Sequence, residues 1–182
     1  MSRIPAPATI ADAPAASQPL LDAVKKQLGV APNLFRLVGL SPAALEGMLG
    51  LNGALGKTLD VKTRNRIALA TAQVNGCDYC MSAHSYLGAN LAKLDEAEMA
   101  LNRAGRSGDA KADAALVFAA KVAQLRGKVS GADIEAVKRA GFGNAEIIEI
   151  IVNVAFNVLT NFVNNVAETD IDFPVVAVRK AA

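Results

Sequence analysis

Residues 75–84, NGCDYCMSAH, hold both cysteines and the only histidine of the 182-residue chain. The Asn-Gly pair at its start is typical of a turn, and the residues after it are compatible with a helix. If Cys77 begins that helix, Cys80 follows at i+3 and His84 lies four residues beyond Cys80. All three side chains then share one helical face. We interpret this stretch as a functional site and the rest of the chain as its scaffold.

The composition limits the classes of partner. Apolar residues make up 52% of the chain and charged residues 20%, with a net charge of +2. No basic cluster is present, so nothing predicts a nucleic-acid partner. The apolar excess is typical of tightly packed helices, and subunit interfaces would also use it. Two cysteines in a chain of this size indicate redox chemistry or a metal rather than a disulfide framework.

We expect a cytoplasmic protein. The N-terminal residues show no signal-peptide pattern, because prolines interrupt them before an apolar run develops. The longest uncharged stretch, residues 150–167, is interrupted by five asparagines. Each of those amides would need a partner in lipid, so we expect no membrane span.

Helical periodicity recurs along most of the chain, and no convincing strand pair is found. The predicted helices cover residues 18–28, 32–38, 42–56, 61–74, 77–90, 95–104, 110–125, 130–140 and 145–168. The predicted class is all-α, a single domain of about eight helices with short connections. We expect residues 1–16 to be a flexible N-terminal arm, residues 17–174 to be the helical domain and residues 175–182 to be an extended C-terminal tail.

The residue types of the site suit thiol redox chemistry. A helix N-terminus favours a thiolate, and on spacing alone Cys77 would gain most from it. Cys80 has His84 one turn away as a base, whereas the negative charge of Asp78 disfavours a thiolate. Two thiols at this spacing can also close a disulfide after one of them is oxidised. A thiolate, a proton shuttle and a resolving thiol are the groups that peroxide reduction requires.

Two simpler interpretations stay open. Both cysteines can be small, inert core residues. Cys77, Cys80 and His84 can also bind zinc, although a carboxylate would have to supply the fourth ligand. The dithiol interpretation needs neither a metal nor a cofactor, and none is predicted.

A longer run, residues 61–84, resembles the core of the alkylhydroperoxidase D-like, carboxymuconolactone decarboxylase superfamily. Residues 30–37, VAPNLFRL, resemble its opening helix, and the helix with Asn153 to Asn165, followed by DIDFP at 170–174, resembles its closing helix. The resemblance covers residues 18–174 and is strongest to the peroxidase-related branch. It implies an all-α fold with the CxxC motif at the start of a central helix, assembled into trimers or hexamers.

The resemblance also implies an activity, the thiol-dependent reduction of hydroperoxides, with a protein thiol or lipoyl-type reductant to recycle the dithiol. By the family pattern Cys80 attacks the peroxide, Cys77 resolves and His84 relays protons. The family usually has a glutamate twelve positions before the first cysteine, where this chain has Asn65. An amide can orient the histidine but cannot take up a proton at neutral pH. A carboxylate from elsewhere would have to replace it, and the candidates are Glu46, Asp60 and Asp78.

A second polar feature is the stripe of asparagines at 153, 157, 161 and 165. At i+4 spacing these amides share one face of an otherwise apolar helix. We expect a buried ladder whose amides bond to one another, with a substrate-lining role as the alternative. Tyr79 and Tyr86 flank the cysteine motif and either line an entry channel or fill the core.

Three functions therefore compete. The first is a peroxidase or thiol-disulfide exchanger that uses the Cys77/Cys80 dithiol. The second is a decarboxylase of the carboxymuconolactone type, which would not depend on the cysteines. The third is a redox-sensing oligomer without turnover, in which Asn65 marks the loss of the relay.

Overall fold

A computed structural model describes residues 2–179, and in that part of the chain the structure is all-helical, as predicted. It contains nine α-helices, one for each predicted range: α1 (Gln18–Leu28), α2 (Asn33–Val38), α3 (Pro42–Leu55), α4 (Val61–Asn75), α5 (Asp78–Asn90), α6 (Glu96–Arg103), α7 (Ala110–Gln124), α8 (Gly131–Arg139) and α9 (Asn144–Ala167).

Side-chain caps explain why the predicted helix boundaries lie close to the observed ones. Asp60 begins α4 by accepting hydrogen bonds from the backbone N–H groups of Lys62 and Thr63, at 2.9 and 3.0 Å. Asp95, Asp109 and Ser130 cap α6, α7 and α8 in the same way. Such caps satisfy backbone donors that the first turn leaves unpaired.

Helix α4 forms the centre of the molecule. It packs against α5, α6, α7 and α9, and its residues from Ile67 to Ala72 are all buried. Ile67 joins Phe118 of α7 and Ile150 of α9 in the largest apolar cluster. Helix α5, whose start carries the cysteines, lies beside α4 and also contacts α6 and α9. The site therefore lies beside the central, buried helix of the fold.

Both chain ends pack onto the helices. Ile10–Asp12 and Ala15–Ser17 form short 3-10 turns, and Ser17 donates a hydrogen bond to the carbonyl of Gly39 at 2.7 Å. The C-terminal segment from Thr169 to Arg179 is extended and runs back over α5 of the same chain. The division into arm, domain and tail remains a prediction.

By length and composition, α9 is apolar enough to cross a membrane. Such a helix is also typical of the core of a soluble protein, and α9 packs against α4 and α7. Its buried face carries Asn153, Asn157, Asn161 and Asn164. These amides make packing against other helices the better explanation of its composition.

Candidate active site

The two cysteines are fixed by the junction between α4 and α5. Gly76 ends α4 in the left-handed conformation, with φ of 64°, which glycine adopts without strain. Cys77 is then the N-cap of α5, and its Sγ accepts a hydrogen bond from the backbone N–H of Cys80 at 3.2 Å. Both thiols are free and buried. The junction thus holds both sulfurs in the first turn of one helix.

The environment separates the two thiols chemically. Hydrogen bonding to Cys80, followed by burial, raises the pKa of Cys77. Hydrogen bonding from Cys77 lowers the pKa of Cys80, and donors from α9 lower it further. Together these hydrogen bonds outweigh burial, which by itself would raise the pKa. These opposite directions favour the thiolate at Cys80 over Cys77. Hydrogen bonding between the two thiols therefore acts against the expected gain of Cys77 from the helix end, although its Sγ does accept from the first turn.

His84 is held by Asn65 of α4 through two contacts. The side-chain Nδ2 of Asn65 donates to the backbone carbonyl of His84 at 3.1 Å, and its Oδ1 lies 3.1 Å from the ring Nδ1. The carbonyl can only accept, so it must face the NH₂ group of Asn65, and Oδ1 must face the ring. Nδ1 is consequently the protonated nitrogen of the neutral imidazole, which leaves Nε2 as the base.

Burial also keeps the imidazole neutral. It lowers the pKa of His84 to about 4, because a buried cation loses its hydration. At neutral pH, His84 can therefore accept a proton only transiently. Asn65 orients the ring without supplying the charge that a carboxylate would supply.

The three candidate replacements for the missing glutamate are engaged or located elsewhere. Asp60 caps α4 and also accepts from the hydroxyl of Thr63 at 2.6 Å. Asp78 accepts from the backbone N–H of Val178 at 2.8 Å. Glu46 is exposed on α3. None of the three is bonded to His84.

The asparagines of α9 do not form the expected ladder. Asn153 and Asn157 donate to backbone carbonyls one turn earlier on their own helix, both at 2.8 Å. Asn161 accepts from the side chain of Asn75 at 2.9 Å. Asn164, which lies off the predicted stripe, donates its Nδ2 to the Cys80 sulfur at 3.3 Å. The expected amide-to-amide ladder is wrong, because helical asparagines reach the carbonyl at i−4 more easily than each other.

Asn164 is the residue of this site that the sequence did not reveal. It is separated from Cys80 by 84 positions, and the i+4 pattern favours its exposed neighbour Asn165 instead. Asn165 contacts the backbone carbonyl of Asn75 at 2.9 Å, at the turn before the cysteines. The only available signal was the uninterrupted polar pair at 164–165 in an apolar helix.

A cavity of about 270 Å³ opens onto the reactive groups. Cys80 and His84 contribute to its wall, and Asn157 and Thr160 of α9 add polar groups. The remaining lining is apolar and includes Leu34, Phe35, Met48, Phe156, Leu87 and Phe173. The arrangement is that of a concave, mostly apolar pocket with a few polar groups at one end, as in small-molecule sites.

The C-terminal segment forms part of that wall. Phe173 makes an edge-to-face contact with Tyr79, with ring centroids 5.8 Å apart, and a tilted contact with Tyr86 at 5.9 Å. The Tyr79 hydroxyl donates to Asp172 at 2.8 Å and accepts from the backbone N–H of Leu34 at 3.1 Å. Tyr79 is thus both a cavity-lining ring and the anchor of the segment that closes the cavity.

The larger of the remaining cavities is unrelated to the thiols. It measures about 420 Å³ and lies at the N-terminal ends of α4 and α7, with a lining of mixed charge. Among residues 2–179, no group of three or more His, Cys, Asp and Glu side chains is arranged to hold a metal ion.

The comparisons with known proteins agree with this architecture. The carboxymuconolactone decarboxylase family model matches residues 42–125, from the start of α3 to the end of α7. A peroxidase-related protein of Ralstonia eutropha, described as an alkylhydroperoxidase AhpD core, superposes with a TM-score of 0.83 at 25% identity. The superposition covers 94% of this chain and 92% of that one. The family match and this superposition support the predicted resemblance to the alkylhydroperoxidase D-like, carboxymuconolactone decarboxylase superfamily.

Two further solved structures share the fold at lower identity. A peroxidase-related protein of Silicibacter superposes with a TM-score of 0.78 at 23% identity, covering 91% of each chain. A cysteine-to-alanine variant of the debrominase Bmp8, in complex with 2,3,4-tribromopyrrole, gives 0.79 at 20% identity and covers 94% of this chain and 93% of its own. No curated protein matches the chain in sequence.

Proposed function

We propose that the protein is a thiol-dependent peroxidase that reduces organic hydroperoxides with the Cys77/Cys80 dithiol. The observation that carries the proposal is the unequal pair of buried thiols at the wall of a cavity. Cys80 is poised as a thiolate, Cys77 keeps its proton, and both are within hydrogen-bond reach of each other. An attacking sulfur and a resolving thiol are the minimum that peroxide reduction needs.

The reaction balances with the groups present. The Cys80 thiolate attacks the distal oxygen of the hydroperoxide, the O–O bond breaks, and the leaving alkoxide takes a proton to become an alcohol. Cys80 is then a sulfenic acid. The Cys77 thiol displaces its hydroxyl, which forms the disulfide and releases water. A protein thiol or lipoyl-type dithiol returns the two electrons by disulfide exchange.

His84 has a limited part in this cycle. Its neutral Nε2 can relay a proton from solvent to the alkoxide, while Cys80 keeps the peroxide hydroxyl as a sulfenic acid. With a pKa of about 4 it does not hold that proton between steps. Asn65 fixes which nitrogen is free but takes up no proton.

The cavity supports organic rather than inorganic peroxide as the substrate. Its lining beside Cys80 is mostly apolar, so an alkyl or aryl group gains free energy on entering it. Hydrogen peroxide gains nothing there and should react more slowly.

Thiol counting and intact mass after peroxide treatment test this function. Reduced wild-type protein should lose both thiols rapidly with cumene hydroperoxide and more slowly with hydrogen peroxide. Its mass should change only by the two hydrogens lost on disulfide formation. Cys77→Ser should stop at the Cys80 sulfenic acid, and Cys80→Ser should keep its thiol. Wild-type thiols that stay reduced would overturn the proposal. Rapid disulfide formation without repeated turnover, given an excess of dithiol reductant, would favour the redox-sensing alternative.

The decarboxylase alternative is tested on the same variants. It predicts cysteine-independent turnover, so Cys80→Ser would retain full activity towards a carboxymuconolactone. Loss of peroxide reactivity together with retained decarboxylation would replace the proposal.

The outer face of α9 supports a homo-oligomer. Ile148, Leu159, Phe162 and Val166 are exposed there, the last at 63%. With Val152 and Ala155 they repeat at alternating steps of four and three residues, the spacing at which two helices pair along a seam. No charged residue occurs from 150 to 167. A second copy of this chain fits such a face, and trimers or hexamers are the assemblies expected.

Light scattering coupled to size exclusion measures the assembly. Wild type should elute as a multiple of 18.8 kDa, and Phe162→Glu together with Val166→Glu should reduce the mass. The exposed Lys138→Glu, on α8, is a control for the added charge. A monomeric wild type would contradict the oligomer without touching the chemistry of Cys80.

A further inference from the structure

Two buried asparagines of α9, Asn161 and Asn164, lie beside the Cys80 sulfur. Not all of their polar atoms have a hydrogen-bond partner. Asn164 donates to Cys80 Sγ at 3.3 Å. The Oδ1 of Asn161 accepts from Asn75, so the orientation of its amide is fixed, yet its Nδ2 is buried without a partner. An unpaired N–H group in the interior is costly and calls for an acceptor.

The ionised form of Cys80 is the acceptor that accounts for this. A neutral thiol is a weak acceptor, whereas a thiolate accepts several hydrogen bonds at once. Asn164 donates to the sulfur, and the nearby amide of Asn161 also favours the thiolate. Since α9 carries no charged residue beside the sulfur, neutral dipoles supply the stabilisation.

We propose that Asn164 and Asn161 form an amide cradle that stabilises the Cys80 thiolate, with Asn164 as a catalytic residue in contact with the sulfur. The inference rests on the proposed function for its purpose, but it concerns the ionisation of Cys80 and can be measured without peroxide.

Among the other titratable groups near Cys80, the Cys77 thiol is the one whose hydrogen bonding also favours the thiolate. Cys77 and His84 lie on α5 with it, and Tyr79 is paired with Asp172 of the C-terminal segment. Cys77 and Tyr79 stay protonated, since burial and their partners raise the pKa of each. Asp78 is negative and would disfavour the thiolate. His84 is neutral at pH 7.

The rate of iodoacetamide alkylation of Cys80 against pH, read by tandem mass spectrometry, tests the cradle. In wild type the midpoint should lie below the value of about 8.5 for an ordinary thiol. Asn164→Ala and Asn161→Ala should each raise it by about one pH unit, a roughly tenfold loss of thiolate near neutral pH. Asn164→Asp keeps the volume but adds a negative charge, and should raise the midpoint further.

Asn153→Ala is the matched control, because Asn153 is buried on the same helix and bonds only to its own backbone. It should lower the melting temperature without moving the midpoint. Unchanged midpoints in both Asn164→Ala and Asn161→Ala would overturn the cradle, and so would an equal shift in Asn153→Ala. If Asn164→Ala does not fold, Asn164→Asp and Asn161→Ala decide. A low midpoint in a protein inert to peroxide would remove the proposed function and leave the cradle standing.

Discussion

The two reactive groups of α5 sit one turn apart in opposite electrostatic settings. Around Cys80, a thiol and the amides of α9 direct hydrogen bonds at the sulfur, and they favour its charged form. Around His84, one amide fixes the ring and burial favours its neutral form. Neither setting contains a fixed charge.

A carboxylate relay through His84 would serve both to ionise the thiol and to protonate the leaving oxygen. In this site the two tasks fall to different groups. In the proposed mechanism, the thiolate is stabilised before substrate arrives, so the nucleophile does not depend on His84 for its ionisation. The proposed base, in contrast, is weak, which would make protonation of the leaving oxygen the slower step. We therefore expect proton transfer at His84 to limit turnover. Substitutions around His84 should alter the turnover number more than they alter the ionisation of Cys80.

The largest expected effect is a loss of folding stability at acidic pH, because protonating the buried His84 is costly. Its pKa is about 4 in the folded protein against 6.5 when unfolded, so the unfolded state binds the proton first as pH falls. Stability is complete above pH 6.5 and is lost between 6.5 and 4, by about 3 kcal/mol. Urea unfolding at several pH values measures this. In His84→Gln the loss over that window should disappear.

A second, more acidic loss should be separable from the first. Burial alone would raise the pKa of Glu98, but hydrogen bonds led by the Ser107 hydroxyl hold it at about 2. Its contribution is present above pH 4.5 and is lost as pH falls towards 2. If His84→Gln retains the slope between pH 6.5 and 4, the neutral, buried imidazole is the wrong description of this side of the site.

A substitution at Gly88 tests the contrast between the surroundings of His84 and those of Cys80, because Gly88 packs against Asn65. A Cβ at Gly88 would lie 2.7 Å from Nδ2 of Asn65 and 2.9 Å from Sδ of Met99. Gly88→Ala should therefore destabilise the fold by about 2 kcal/mol and displace the amide that holds His84. We expect a lower turnover number at an unchanged alkylation midpoint of Cys80, because the cradle lies on α9.

Gly50→Ala is the control for that substitution. Gly50 is also helical, and a Cβ there would meet nothing within 4 Å. Alanine should stabilise α3 by up to about 1 kcal/mol and leave both the rate and the midpoint unchanged. A Gly88→Ala protein that melts and turns over like wild type would show that the packing behind Asn65 does not matter.

The same contrast explains how much of the molecule the sequence predicts. Helix boundaries and the face shared by Cys77, Cys80 and His84 follow from local rules, namely caps, turn residues and helical spacing. Which thiol the surroundings favour as a thiolate does not follow from these local rules, because it depends on donors from another helix. Only the family resemblance names Cys80 as the attacking cysteine.

Contacts between distant segments set the remaining limits. Asn65 can be suspected as the position of the missing carboxylate, but its double contact with His84 requires the packing of α4 against α5. Asn164 gives no pattern of its own, since its meaning comes from a sulfur 84 residues away. Phe173, likewise, belongs to a tail whose course over α5 has no local signal.

Asn65→Asp asks whether the His84 side can be given the charge it lacks. The substitution keeps the size of the side chain, which the close approach of Gly88 favours over the longer glutamate. A carboxylate beside Nδ1 should raise the pKa of His84 by at least one unit. We expect a turnover increase of about tenfold, equivalent to about 1.4 kcal/mol of barrier, with the Cys80 midpoint unchanged.

Steady-state peroxide consumption against pH, with histidine NMR for the imidazole, measures the effect of Asn65→Asp. Asn65→Leu, which can neither accept from the ring nor donate to the carbonyl, is the paired loss-of-contact variant and should turn over more slowly than wild type. Equal rates in all three proteins would mean that proton relay through His84 does not limit the reaction.

The smallest expected effect concerns the wall of the cavity that both Cys80 and His84 line. Tyr79→Phe removes a hydroxyl that bonds Asp172 and the backbone N–H of Leu34, at a cost of about 1 kcal/mol. Tyr86→Phe is the matched control, because Tyr86 also contacts Phe173 but is 45% exposed. Because Phe173 is then held less firmly, KM for cumene hydroperoxide should rise about two- to threefold in Tyr79→Phe and not in Tyr86→Phe. A rise of this size corresponds roughly to the free energy lost when an apolar contact is loosened. The alkylation midpoint of Cys80 should stay where it is, since the wall confines the substrate whereas the amides of α9 ionise the sulfur. A midpoint that moves with Tyr79 would mean that the C-terminal segment, and not α9 alone, sets the charge on Cys80.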